Sequence, residues 1–514
     1  MKNLYDIAII GGGVIGCAIA RELSKYRFNT ILIEKEPDVA EGISKANSGV
    51  IHAGFNVKSG TLKAKLNNEG VFELPKLADE LGLEYRICKK LVVAKDDIEK
   101  EYLIKLIEQG QRNNTPGLSI IDGKTIKHLE PNVNPSLGSV GFSNAFRKNK
   151  TDTLSKNQKQ KYLRYKWALY SEFTGIITPY LLTIALAENA FKNGVDILLN
   201  TKVHDINRNP DCSFTIKGVD GEICRSRWVI NCAGINSDSI AGILETSPKK
   251  IYSCRGEYFI FDKNAERELN MAVYPVPPKD GSGLGVHLTP TLNGNILVGP
   301  SADYINDGHD LANSKTVMDI LKKEAFELMP AMKKYSFIKN FSGMRPKLFN
   351  SENGQNTADF YIKESEKISK FVNLIGIESP GLTSTPAIAK YVIEDIVANK
   401  EDLLGNKRFD GSWTPVDRTA NMSFDEISQL IKKDSNYGEM VCRCEQVSKG
   451  EIIRAINNPF GVKTLNGIKK RTHSMMGRCQ SGFCLSRISK ILIDEYNIAP
   501  DHVVKNRKES NIFF

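Results

Sequence analysis

The run Tyr5-Asp-Ile-Ala-Ile-Ile10 is apolar at nearly every position and ends in glycines, which predicts a strand buried on both faces. A second apolar segment, Cys17 to Leu23, reads as the start of a helix, and Thr30-Ile-Leu-Ile-Glu34 reads as a second strand. Helical spacing covers Thr61 to Leu81 and Pro179 to Asn193, with strand-like segments at Leu91 to Ala94 and Gly194 to Leu199. Two strands flank the turn pair Asp220-Gly221, and Trp228 to Gly234 reads as a buried strand entering a glycine turn. From Ile251 to Val298 the alternation is that of antiparallel strands, which predicts a substrate domain built on its own sheet. A helix over Pro386 to Asn399 is expected to close the main body.

Beyond it the pattern changes. Glu401 to Thr419 is polar and broken by Gly405, Gly411 and Pro415, as in a linker, and Ser423-x-x-Glu426 is a capping box for a short helix ending at Lys433. The expected organisation is therefore a body over 1–400, a linker over 401–438, a small helical domain over 439–500 and a tail over 501–514. The fold class is α/β: a Rossmann-like nucleotide domain, an antiparallel-sheet substrate domain and the small C-terminal domain.

The first strand runs directly into Gly11-Gly-Gly13-Val-Ile-Gly16 and then into the helix, the context that makes this glycine pattern informative. Gly11 permits a tight turn, Gly13 lets the backbone approach a pyrophosphate, and Gly16 allows close helix–strand packing. Glu34, at the end of the second strand, is placed to bond a ribose hydroxyl. The pattern by itself fits FAD and NAD equally.

Four of the ten cysteines fall near the C-terminus, as Cys442-x-Cys444 and Cys479-x4-Cys484. Zinc knuckles favour two to four intervening residues, which suits neither pair well. A [2Fe–2S] centre needs four thiolates and tolerates irregular spacing, so Cys442, Cys444, Cys479 and Cys484 are its expected ligands. Cys17, Cys88, Cys212, Cys224, Cys232 and Cys254 lack ligand spacing and read mostly as small core residues.

Charge alters this picture in one place. The net charge is +10. Arg147 to Lys166 holds eight Lys or Arg against Asp152 alone, which is 8 − 1 = +7, so the remainder is close to neutral. A solvated insertion is the expectation there, and no other feature points to nucleic acid. The longest apolar run, Ile7 to Ala20, is glycine-broken and too short to span a bilayer, so a cytoplasmic chain with reduced thiols is expected.

Several segments together resemble the FAD-dependent oxidoreductases of the D-amino-acid oxidase class: Gly11 to Gly16, Asn47-Ser-Gly-Val-Ile-His-Ala-Gly54, Ala233-Gly234, Arg255-Gly-Glu-Tyr258, Gly343-Met-Arg-Pro-Lys347 and Gly376-Ile-Glu-Ser-Pro-Gly-Leu-Thr383. Within the class the likeness is greatest to the catalytic subunit of anaerobic-type glycerol-3-phosphate dehydrogenases. Val441-Cys-Arg-Cys-Glu-Gln-Val and Gly477-Arg-Cys-Gln-Ser-Gly-Phe-Cys484 resemble the ferredoxin-like [2Fe–2S] module attached to that subunit.

The resemblance implies FAD in the glycine-rich site, with Ser44, Ser48, Val203, Ala233 and Gly234 beside the ADP half. It places Gly381, Leu382 and Thr383 against the isoalloxazine or ribityl chain. It implies oxidation of a secondary alcohol, with His52 or His287 as the base and Arg345, Arg255 and Tyr258 around a small anionic substrate. Electrons would leave through the [2Fe–2S] centre to a second flavoprotein or small redox subunit, and any membrane contact would be peripheral and made through such partners. Two features depart from this pattern. The basic insertion after Phe146 has no counterpart in it, and Gly285-Val-His287-Leu-Thr289 is closer to the branch that oxidises L-2-hydroxyglutarate. Two other functions therefore stand beside the first: a 2-hydroxy-acid or amino-acid dehydrogenase, and a zinc-stabilised flavoprotein electron-transfer subunit.

Overall fold

The computed structural model describes residues 4–133, 164–245, 249–277, 285–349 and 358–513. Most of the basic stretch, residues 147–163, lies outside the described residues.

An eight-stranded sheet carries the N-terminal fold. Its centre is the strand Tyr5–Ile10, parallel to Thr30–Ile33 on one side and to Gly221–Asn231 on the other. Ile7 and Ile9 face one apolar cluster, while Tyr5, Ala8 and Ile10 face another. Helices or strands cover both faces, which is why the strand reads as a continuous apolar run rather than an alternating one. Phe371–Ile375 joins the sheet parallel to Gly221–Asn231, so the ends of three central strands open on the same edge. The helix Val14–Ser24 packs on this sheet together with Pro179–Lys192 and Thr385–Lys390.

The expected helix over 386–399 is only partly regular. An α-helix over Thr385–Lys390 widens to π-helix over Tyr391–Ile396 and tightens to 3-10 over Val397–Asn399. Its apolar residues come in adjacent pairs, Val392-Ile393 and Ile396-Val397, and all four are buried in the same cluster. A regular α-helix turns consecutive side chains about 100° apart, so the changed pitch accompanies this double burial.

The second sheet has nine strands. Its spine is Tyr252–Phe261, antiparallel to Phe337–Lys347 along its length, with Cys254 opposite Arg345 and Gly256 opposite Gly343. The segment 251–298 is mostly antiparallel, as its alternation predicts, but Ala272–Pro275 pairs in parallel with Lys90–Ala94 from far upstream. That pairing brings Lys90 into the second sheet.

The linker is tied to the body. The Arg27 amide donates to the Leu404 carbonyl at 2.8 Å, and the Asn189 carboxamide donates to the carbonyls of Asp410 and Ser412. Ser423 caps Phe424–Lys433 through the reciprocal bonds with Glu426 that its spacing predicts. In the C-terminal region the hairpin Met440–Cys442 with Val447–Ser448 and the helices Lys449–Ile456, Leu465–Thr472 and Cys484–Asp494 enclose a separate apolar core. Among the described residues no helix is long and apolar enough to cross a membrane.

Candidate active site and thiol cluster

A cleft of about 1270 Å³ opens where the central strands end and continues between the two sheets. At its base Gly11 has φ +114°, and a Cβ there would stand 2.4 Å from the Cys232 carbonyl oxygen. Gly16 lies behind this turn, where a Cβ would meet the Gly11 oxygen at 2.0 Å. Gly13 precedes the helix, and the Val14 amide donates to the Ser44 hydroxyl at 2.8 Å. The Glu34 carboxylate accepts from the amides of Gly12 (2.6 Å) and Glu36 (2.9 Å). Burial nonetheless raises its pKa.

Ser48, Val203, Ala233, Gly234, Gly381 and Leu382 also line the cleft. Thr383 and Gly16 do not; both stand one layer back. Thr383 acts on the wall through His52, whose amide donates to the Thr383 hydroxyl at 2.8 Å.

His52 and His287 line the cleft together, although they come from opposite ends of the body. His52 is partly exposed, and its Nε2 lies 3.2 Å from the Ser379 hydroxyl. Burial, then Lys90 and His287, hold this imidazole well below its usual pKa. His287 is 3% exposed, with Nδ1 3.1 Å from the Gly285 carbonyl oxygen. A carbonyl only accepts, so Nδ1 carries the proton and Nε2 the lone pair. Burial, opposed by that bond and helped by Lys90 and Arg345, brings its pKa down to about 3.

Arg345 lines the same cleft as these histidines and Tyr258. One of its Nη2 hydrogens goes to the Ser301 carbonyl, and among the described residues no carboxylate lies within 4.0 Å of the guanidinium. A Cβ on Gly256 would be 2.6 Å from Nη2, so a glycine at this register position leaves the guanidinium its room. Tyr258 is buried and stacked on Phe341 with centroids 4.7 Å apart.

Arg255 is not brought to the cleft. It pairs with Asp310 at 2.7 Å and Glu257 at 3.4 Å, an ion-pair network outside the cleft lining. Lys347 is largely buried and shares Glu378 with Lys63, at 2.6 and 2.9 Å.

Two further histidines, His204 and His309, are exposed and also line the cleft. His473 is buried at the end of the helix Leu465–Thr472, with Nδ1 3.2 Å from the Tyr180 hydroxyl and Nε2 3.4 Å from Glu445. Of the six lone cysteines, five are buried and Cys212 is exposed.

Sequence reading missed Lys90. This lysine is 2% exposed, with Nζ 4.2 Å from the Tyr274 ring centroid and 5.4 Å from that of Phe55. Desolvation lowers it to about 8. An apolar strand that begins with a lysine looks like any strand entering from solvent, and it is the pairing on both edges, with Ala272–Pro275 and Trp167–Ser171, that buries it.

The four C-terminal thiols form a chain. Cys442 and Cys444 are 3.9 Å apart, Cys444 and Cys479 are 3.8 Å apart, and the Cys442 and Cys484 thiols, both free, share a hydrogen bond. That bond raises the Cys442 thiol and lowers that of Cys484, while burial pushes Cys444 up to about 12. Four adjacent thiols resist joint ionisation unless a cation offsets their charge, which is the donor set an iron–sulfur centre uses. Among the described residues no three His, Cys, Asp or Glu are gathered as for a single ion.

The FAD dependent oxidoreductase family matches residues 6–394, three quarters of the chain. The chain belongs to that family. The BFD-like [2Fe-2S] binding domain matches residues 440–494, the region of the thiol chain. A glycerol 3-phosphate dehydrogenase of Caloramator mitchellensis is 36% identical over 99% of this chain and 98% of its own length. An L-2-hydroxyglutarate dehydrogenase of Caenorhabditis elegans is 32% identical over 65% of this chain and 72% of its own. Among solved structures, a dithionite-reduced L-alpha-glycerophosphate oxidase from Mycoplasma pneumoniae with FAD bound superposes with a TM-score of 0.69. It is 29% identical, covering 80% of this chain and 99% of that one.

This family member is thus an FAD-dependent enzyme with a [2Fe–2S] domain. The cleft fits FAD because its floor is glycine backbone that any Cβ would obstruct, and the thiol chain fits the cluster.

Proposed function

We propose that this enzyme oxidises sn-glycerol 3-phosphate to dihydroxyacetone phosphate and releases the electrons to a separate acceptor. The observation that carries the reading is Arg345, a guanidinium on the cleft wall beside two neutral imidazoles, with no carboxylate within 4.0 Å among the described residues. A guanidinium fork so placed can hold a phosphate bidentately and fix the secondary alcohol beneath it. The glycerol 3-phosphate relatives, one similar over the whole chain, support the same substrate.

His52 is the base in this reading. Its imidazole is kept neutral, reaches the cleft, and takes the alcohol proton at Nε2, where Ser379 holds the ring's orientation. His287, held on Tyr274 and on the Gly285 carbonyl, lines the same cleft and positions the substrate in this reading. Tyr258 and Tyr274 line the cleft beside these histidines. FAD bound along Gly11, Gly13, Glu34, Ser44, Gly381 and Leu382 supplies the hydride acceptor. Cys442, Cys444, Cys479 and Cys484 hold the [2Fe–2S] centre, which supplies single-electron transfer. A second flavoprotein or a small redox subunit is the acceptor in this reading, and any membrane attachment is made through it.

The L-2-hydroxyglutarate reading draws on Val286-His287 and on the relatives that carry that name. Anaerobic flavin bleaching separates the two. Rapid bleaching by sn-glycerol 3-phosphate and none by L-2-hydroxyglutarate is expected. Bleaching by the hydroxy acid alone would transfer the protein to the other substrate class.

A further inference from the structure

The C-terminal tail is not free. The Leu465 and Asn466 amides donate to the carbonyls of Val504 and Lys505, so the segment after residue 503 is laid along the last domain's own helix. It then closes on itself: the Lys505 amide donates to the Ser510 carbonyl at 2.8 Å, and the Asn506 amide to the Ser510 hydroxyl at 2.8 Å. Arg507 reaches from this turn to the body and forks onto Glu36, with Nε 2.7 Å from one carboxylate oxygen and Nη2 on the other.

Glu36 lies two residues beyond Glu34, the position that meets a dinucleotide's ribose. The loop between them and Ser44 is also gripped from the last domain. Lys470 bonds Asp38 at 3.1 Å and Glu41 at 2.7 Å, and Arg471 bonds Asp38 at 2.7 Å. The turn is therefore held at the adenosine end of the cleft, where Asn506, Arg507 and Ser510 line it with Glu34 and Val203.

One atom there has no protein partner. The carboxamide oxygen of Asn506 is inaccessible to solvent yet accepts no hydrogen bond. A buried acceptor without a donor costs about 1–3 kcal/mol, so such an atom beside a cofactor cleft points to a ligand that donates. Ribose hydroxyls and the adenine amino group are the donors of a dinucleotide flavin at that end.

We infer that the tail turn 505–510 of the iron–sulfur region is a wall of the FAD site, with Asn506 accepting a hydrogen bond from the adenosine half and Arg507 positioning the turn through Glu36. The last domain is thereby part of the cofactor's binding site as well as the seat of the cluster. Removing one such bond is expected to weaken FAD binding about fivefold.

The test uses full-length holoenzyme. Its FAD is removed with a chaotrope and rebinding is followed by flavin fluorescence, with the visible absorption of the cluster as a check on the last domain. Asn506→Ala should bind FAD about fivefold more weakly than wild type while binding FMN, which lacks adenosine, equally well. Arg507→Ala should show the same selective loss, and Lys508→Ala, on the exposed side of the turn, should bind FAD as wild type does. Unchanged FAD affinity in both Asn506→Ala and Arg507→Ala, with the cluster retained, would overturn the inference. An equal loss of FAD and FMN would also overturn it, because a general loosening of the fold does not distinguish the two flavins.

Discussion

His287 lies flat against Tyr274, with ring centroids 3.8 Å apart and planes 17° from parallel. Beyond that tyrosine the Lys90 ammonium sits 4.2 Å from its ring centroid, so a cation, a phenol and an imidazole form one pile at the back of the cleft. The imidazole cannot take up a proton without adding a second buried charge beside Lys90. Burial and Lys90 accordingly keep its folded-state pKa at about 3, far below the ordinary value of 6.5.

The consequence for stability has a definite sign. Below pH 6.5 the unfolded chain protonates His287 while the folded chain does not, so its contribution is fully present above 6.5 and is lost as pH falls towards 3. The loss is at most about 1.4 kcal/mol per pH unit in that window. Urea unfolding at pH 5 and pH 7 should show a smaller difference for His287→Phe than for wild type. Equal differences would mean that His287 titrates normally.

Lys90 should reveal itself in the pH profile of catalysis. Its charge adds to burial in keeping both His52 and His287 unprotonated. Removing that charge with Lys90→Met raises the pKa of the base. The acid limb of kcat/KM is then expected to move to higher pH, by up to about one unit. A limb that stays in place would show that the field of Lys90 does not reach the base.

How much of this was legible in the chain depends on how local each feature is. Gly11 to Gly16 and Glu34 are readable because strand, turn, helix and second strand follow one another without interruption. The four cysteines are readable as a set, since two short motifs carry all the donors. Arg255 and Arg345 look alike in sequence, yet they sit opposite Met344 and Cys254 on the paired strands, and only Arg345 reaches the cleft. What separates them is the register of the two strands, which sets Arg345 on the face of Cys254 and Gly256 and Arg255 on the other, where it meets Asp310. Lys90 needs Tyr274 and Phe55 to become a buried charge, and the tail needs Glu36, 471 residues before Arg507, to become a wall. Such pairings leave no periodic trace.

Arg345→Ala should leave the flavin bound and raise KM for the anionic substrate by about 10- to 100-fold, the range expected for a lost charge-assisted bond. Arg345→Lys should recover part of the loss, because an ammonium supplies the charge without the fork. Steady-state kinetics with a flavin-occupancy check tests both. An unchanged KM in Arg345→Ala would remove this residue from the substrate site.

Gly11→Ala tests the cradle rather than the chemistry. The new methyl would be 2.4 Å from the Cys232 oxygen, at a backbone angle that alanine rarely adopts. The turn must shift, and the floor beneath the pyrophosphate shifts with it. The purified variant is expected to be nearly free of flavin yet to keep its iron, because the thiol chain lies in a separate core. Normal flavin content would show that the turn can relax without disturbing the site.

Lys263 offers a way to divide flavin reduction from electron exit. Its ammonium lies 2.6 Å from Glu445, the residue after Cys444, and the neighbouring Asp262 accepts from Arg478, the residue before Cys479. Two ion pairs thus join the segment just after the strand Tyr252–Phe261 to both cysteine segments. Lys263 is about one third exposed and Glu445 is nearly fully buried, so Lys263→Glu would set two carboxylates against each other where one has no access to water. The body's cleft is untouched by this change. Stopped-flow bleaching of the flavin by substrate should therefore remain within about twofold of wild type, since uniform ground-state contacts are unaltered. Reduction of a one-electron dye acceptor should slow, because the cysteine segments are no longer held against the body. If bleaching slowed as much as dye reduction, Lys263 would be acting on the whole fold; if neither changed, the two ion pairs would not govern the exit of electrons.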